Sequence, residues 1–174
     1  MSVQQQAMIP AGPREVYAVL ADACALSALS GMGGEAATVE GAEFSAFNGA
    51  IRGRQVELVP GARIVQAWRF SRWAPGIYTI VRLTLEAVPG RGPGGPGDNG
   101  TLLRVEQAGY PDEADADGCH ETWHDHLSWG WPAFYLSPLA RHFEAQAASA
   151  RAAAEQQVEA LAQASRPAGA PRNA

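Results

Sequence analysis

Between residues 43 and 108 apolar side chains recur at every second position, punctuated by turn residues, and from Trp131 onward they recur at every fourth. This change of period, from the pleat of a strand to the turn of a helix, restricts the possible folds more than any other feature of the chain. Residues 43–47 read as a strand, and Asn48-Gly49 is a hairpin signal because both residues tolerate left-handed backbone. Residues 50–59 return and end at Pro60-Gly61. Residues 63–70 then place Ile64, Gln66, Trp68 and Phe70 on one face and Arg63, Val65, Ala67 and Arg69 on the other. Residues 77–88 alternate more clearly, with Val81, Leu83 and Leu85 opposite Arg82, Thr84 and Glu86. The Gly/Pro-rich stretch 90–100 is expected to be a mobile loop, after which residues 101–108 resume the sheet. Strands joined by turns make an antiparallel meander.

Ahead of the meander, residues 3–9 form a candidate strand. Pro13 opens a short helix over residues 13–21, with Glu15 in its first turn, and Asp22 is placed to cap a second one. Behind the meander, Trp131, Tyr135, Leu139 and Phe143 share one helical stripe that starts near Pro132 and is expected to kink at Pro138. The pattern predicts an α+β fold in which an antiparallel sheet of six or seven strands curls around a long C-terminal helix. A curved sheet and a straight helix do not fit flush, so a cavity is expected between them. The domain is expected over residues 1–145, with an Ala-rich helical extension over 146–164 that offers a surface for a homodimer. A disordered tail is expected over 165–174.

Composition removes several classes of function. A net charge of −5, with all thirteen basic residues arginine, argues against a nucleic-acid partner, which selects a basic footprint. Cys24 and Cys119 are far apart and form neither a disulfide framework nor a four-cysteine zinc site. No apolar run is long enough for a membrane span, and Met1–Gln6 lacks the pattern of a signal peptide, so a cytoplasmic protein is expected. No cofactor fingerprint is present.

Four segments together carry a family resemblance: Pro13-Arg14-Glu15-Val16-Tyr17, Gly53-Arg54-Gln55-Val56-Glu57-Leu58-Val59-Pro60, Arg63-Ile64-Val65-Gln66-Ala67-Trp68-Arg69 and Gly130-Trp131-Pro132-Ala133-Phe134-Tyr135-Leu136-Ser137-Pro138-Leu139. Over residues 3–145 the chain resembles bacterial proteins similar to the activator of the 90-kDa heat-shock protein ATPase, in the START-like (SRPBCC, helix-grip) superfamily. The resemblance implies a helix-grip module for a small apolar ligand or an exposed apolar peptide. It also implies, as alternatives, a stress-response chaperone cofactor acting through its surface or a cyclase- or dehydratase-like enzyme.

All five tryptophans fall in two aromatic clusters, one on the strands and one on the terminal helix, which the helix-grip arrangement would bring together. The expected pocket consists of Trp68, Phe70, Trp131, Phe134 and Tyr135, with Gln66 either orienting a ligand or hydrogen-bonded within the protein. Glu57 is the acid an enzyme would use, unless it faces solvent. The arginines at 52, 54, 63, 69 and 104 form either an outer patch or ordinary solvated charge. His120-Glu121-Thr122-Trp123-His124 matches a zinc-hydrolase expression. It has no identifiable third ligand, and His126 projects about 200° around a helix from His124. No catalytic residue and no resident metal are therefore expected.

Overall fold

The computed structural model describes residues 2–35, 37–92, 98–111 and 122–164. Six strands form one antiparallel sheet: β1 (Ser2–Ile9), β2 (Glu43–Ala46), β3 (Ile51–Val59), β4 (Arg63–Phe70), β5 (Thr79–Pro89) and β6 (Asn99–Ala108), in the order β1-β6-β5-β4-β3-β2. Helices α1 (Pro13–Ala21) and α2 (Ala23–Ala28) follow β1, and Asp22 caps α2 by accepting from the Cys24 and Ala25 amides. After β6 come α3 (Trp123–Gly130), a π-helical turn (Trp131–Leu136) and the long α4 (Ser137–Ala164). The centre of the Gly/Pro-rich loop and the tail from 165 lie outside the described residues.

The concave face buries Ile64, Trp68, Val81, Leu83, Leu103 and Val105, and Trp131, Tyr135, Leu136, Leu139 and Phe143 press on it from the helical side. The stripe at every fourth residue is therefore the seam between helix and sheet. Beyond Ala147 the described part of α4 is solvent-exposed, including Val158 and Leu161.

Three local features shape the end of the fold where a pocket forms. The first is the turn between β2 and β3, whose left-handed backbone begins at Phe47 (φ 53°), a residue earlier than Asn48-Gly49 suggests. A bulky residue rarely adopts that conformation. It is held there because its N–H donates to Ser27 Oγ, while Asn48 and Gly33 exchange hydrogen bonds. The second is the π-helical turn, closed by the Ser137 N–H on the Pro132 carbonyl. Turns of this kind are frequent at functional sites. Pro132 within it and Pro138 just after it lack the N–H that would serve the carbonyls four residues earlier. Side chains from elsewhere serve them instead: Gln5 Nε2 donates to Ser128 O, and Ser30 Oγ to Phe134 O. The third is a bulge in β3 between Gln55 and Glu57. Strict alternation would turn Glu57 inward with Gln55, and the extra residue Val56 sends it to the outer face.

Candidate ligand-binding site

A cavity of about 200 Å³ lies between the sheet and the helical segment, walled by Trp68, Phe70, Trp131, Phe134 and Tyr135 with Phe47, Ile51, Leu127 and Gly130. Met32, Ala50 and His126 complete it. Each wall follows from local structure. Trp68 and Phe70 share the inward face of β4, while Trp131 and Tyr135 lie four residues apart on the helical side. Trp68 stacks on Trp131 at 5.2 Å with an interplanar angle of 20°. Tyr135 packs on Trp131 at 4.4 Å and on Phe47 at 4.8 Å. Phe134 is 37% exposed and stands at the rim.

Gln66 does not line this cavity. Its Nε2 donates to Gln55 Oε1 at 3.0 Å and its Oε1 accepts from Trp68 Nε1 at 2.7 Å, so both ends of the amide are engaged within the protein. Gln55 in turn donates to the Ala21 and Ala37 carbonyls. The chain of amides fixes the Trp68 indole rather than addressing a ligand. Trp131 Nε1 is likewise held, by Gln107 Oε1 at 2.7 Å. The Tyr135 hydroxyl is different: it is buried and has no hydrogen-bond partner among the described residues, and burial pushes its ionisation well above the ordinary tyrosine value.

Glu57 lies away from the cavity. Both its oxygens accept from Arg63, at 2.6 and 2.8 Å, and this hydrogen bonding draws its carboxyl below the ordinary glutamate range. Three of the five arginines singled out in the sequence are ion-paired: Arg54 with Glu43, Arg63 with Glu57, and Arg104 with Glu86. Arg69 donates to the Trp73 carbonyl. Most of that outer face is thus internally compensated charge, whereas Arg52 stands across the β3–β4 ladder from Arg69.

His120 and Glu121 lie outside the described residues. His124 and His126 point to different surroundings: His124 sits beside Tyr110 and Asp125, while His126 packs edge-on against Phe70 and on Trp123. His126 was overlooked as a cavity residue, although His126, Gly130 and Phe134 recur at every fourth position and so trace one side of the cavity.

A curved antiparallel sheet gripping a C-terminal helix over an aromatic cavity defines a helix-grip domain. A family model described as "Activator of Hsp90 ATPase homolog 1-like protein" matches residues 10–129, and the chain belongs to that family. It is similar to the activator of 90 kDa heat shock protein ATPase homolog of Dictyostelium discoideum, 33% identical over 72 residues. That match covers 41% of this chain and 17% of the Dictyostelium protein, so the chain spans a small part of that relative's length. Among solved structures, an Hsp90 activator from Plasmodium falciparum superposes with a TM-score of 0.66 at 24% identity, over 79% of this chain and 91% of that one. The Aha1 dimer from Colwellia psychrerythraea gives 0.61 at 20% identity, over 83% and 96%. Both likenesses are of fold.

Proposed function

We propose that this protein is a non-enzymatic binding module that takes a small apolar ligand, or an apolar peptide segment, into the cavity between the sheet and the helical turn. The observation carrying this reading is the convergence of the two aromatic clusters around a space with almost entirely apolar walls. Burial against such rings supplies about 25 cal/mol per Å² before the costs of association, enough for micromolar binding.

Gly130 provides the test. It lines the cavity in right-handed helical backbone (φ −66°), and a Cβ added there meets nothing within 4 Å. Gly130→Leu fills the cavity without backbone strain. Tryptophan fluorescence titrated with fatty acids, aromatics and isoprenoids should shift saturably in the wild type and not in Gly130→Leu, with circular dichroism unchanged. Native mass spectrometry of the purified protein would identify what it carries. A panel without any saturable response would set this reading aside.

The family supports a second reading, a chaperone cofactor acting through its surface, since relatives carry the description of Hsp90 activators. On that reading Gly130→Leu would stimulate a 90-kDa chaperone ATPase as well as the wild type does.

A further inference from the structure

We propose that the outer face of the sheet carries a separate binding site, in which Arg52 and Arg69 hold the phosphate of a small phosphate monoester. Both arginines alternate along their strands with Ile51, Trp68 and Phe70, so they point away from the apolar cavity. The site is independent of the reading given for that cavity.

The charge pattern of the strands singles out this pair. Six arginines lie in β3 to β6, and four of them meet glutamates. Arg54 pairs with Glu43 and Arg63 with Glu57, both at 2.6 Å, while Arg82 pairs with Glu106 at 3.1 Å and Arg104 with Glu86 at 3.2 Å. Arg52 and Arg69 instead stand directly opposite each other across the β3–β4 ladder. Like charges in that position are destabilising. Arg52 is exposed and makes no hydrogen bond or ion pair among the described residues. Arg69 is half-buried and gives one N–H to the Trp73 carbonyl, which steadies its head group without neutralising it.

The two also share a hollow. A groove of about 790 Å³ runs from residues 33–35 and the Asn48-Gly49 turn to Arg69 and Tyr78, with Arg52 between them. That volume lies within the roughly 300–1,000 Å³ of small-molecule sites. Its remaining polar groups suit an anion. Asn48 Oδ1 is taken by the Gly33 N–H at 2.8 Å, so its NH2 donors are what it has left for a ligand. Tyr78 is 49% exposed and adds a hydroxyl. Of the two acids in the lining, Glu43 is engaged by Arg54, and Glu35 accepts from Ser45 Oγ at 3.4 Å.

Charge selects the ligand. A phosphate monoester carries about −1.5 to −2 near pH 7, which matches two guanidinium groups, and its oxygens accept their paired N–H bonds. A carboxylate brings a single charge and leaves one arginine unmatched.

Phenyl phosphate and benzoate test the site, in a buffer free of phosphate and sulfate. Calorimetric titration of the full chain should show phenyl phosphate binding about tenfold more tightly than benzoate. Arg52→Gln should weaken phenyl phosphate about tenfold, with an unfolding midpoint no lower than that of the wild type because a like-charge contact is removed. Arg82→Gln takes the same charge from the same face outside the groove and should leave binding within about twofold of the wild type. In nitrogen-15 NMR spectra of the wild type, phenyl phosphate should move the Asn48 side-chain and Gly49 amide signals and leave the Trp68 and Trp131 indole signals in place. Equal losses in Arg52→Gln and Arg82→Gln would show a general charge effect and overturn the site, as would shifts confined to the indoles or the absence of saturable binding. Benzoate binding as tightly as phenyl phosphate would overturn the ligand class.

Discussion

Ser30 Oγ donates a 2.9 Å hydrogen bond to the Phe134 carbonyl, whose α-helical donor position four residues on is occupied by Pro138. The loop after α2 thereby ties itself to the cavity-lining turn, and the strain of placing a proline in the seam is met by a side chain far away in sequence. Gln5 does the same for Ser128, whose helical donor would be residue 132. The two contacts pin both ends of the π-helical turn to the strand and helices at the start of the chain.

Ser30→Ala should therefore destabilise the protein by about 0.5–1 kcal/mol in urea denaturation, the range for an exposed hydrogen bond. In a Pro138→Ala background the loss should shrink, because residue 138 then supplies its own N–H to Phe134. A double-mutant cycle measures this coupling directly. Equal losses in both backgrounds would show that Ser30 does not substitute for the missing donor.

Gln55 sits at the hub of the buried amide chain, donating to two carbonyls and accepting from Gln66. Gln55→Leu keeps much of the volume but strands all three partners. The expected cost is on the order of 2 kcal/mol, with the Trp68 emission altered because Gln66 loses its anchor. Val56→Thr, at an exposed neighbouring position, should stay within about 0.5 kcal/mol of the wild type.

The order of elements and the faces of β4 and β5 were legible because a single buried face imposes strict alternation, and the helix stripe because one side of it meets the sheet. Trp68, Trp131 and Tyr135 could be placed together for the same reason. What escaped were positions set by contacts distant in sequence. The bulge at Val56 reversed Glu57, and nothing in the local pattern marks it. Gln66 lies on the inward face as its alternation requires, yet alternation does not say which inward groups find partners in the protein. Phe47 adopts left-handed backbone under restraint from Ser27, which a turn signal centred on Asn48-Gly49 does not reveal.

Burial opposes ionisation of Tyr135, raising its folded-state value well above the ordinary 10.0, and desolvation beside Glu40 raises Tyr17 as well. In the unfolded chain both phenols lose their protons near the ordinary value. Above that pH the native state holds more protons than the unfolded state, so stability is full below about pH 10 and falls as pH rises past it. Chemical denaturation between pH 8 and about 11 should show this decline, with a smaller slope in Tyr135→Phe. Phenolate absorbance should report that Tyr135 ionises only on unfolding. A Tyr135→Phe slope identical to the wild type would contradict the burial of this hydroxyl.

The last prediction concerns α4. Its buried residues are Pro138, Leu139, Phe143 and Ala147, and every described residue after Ala147 is exposed. Alanine-rich sequence gives that half high intrinsic propensity, yet a helix of this length without a packed face is marginal in water. Truncation after Ser149 should leave the unfolding midpoint nearly unchanged, because the last buried turn remains. Amide hydrogen exchange should be fast beyond residue 150 and slow around Leu139 in the full chain. If residues 150–164 instead pack on a second copy, exchange there should slow with rising concentration and sedimentation should detect a dimer that the truncated chain does not form. A truncated chain that loses its fold would place the extension in the core of the domain.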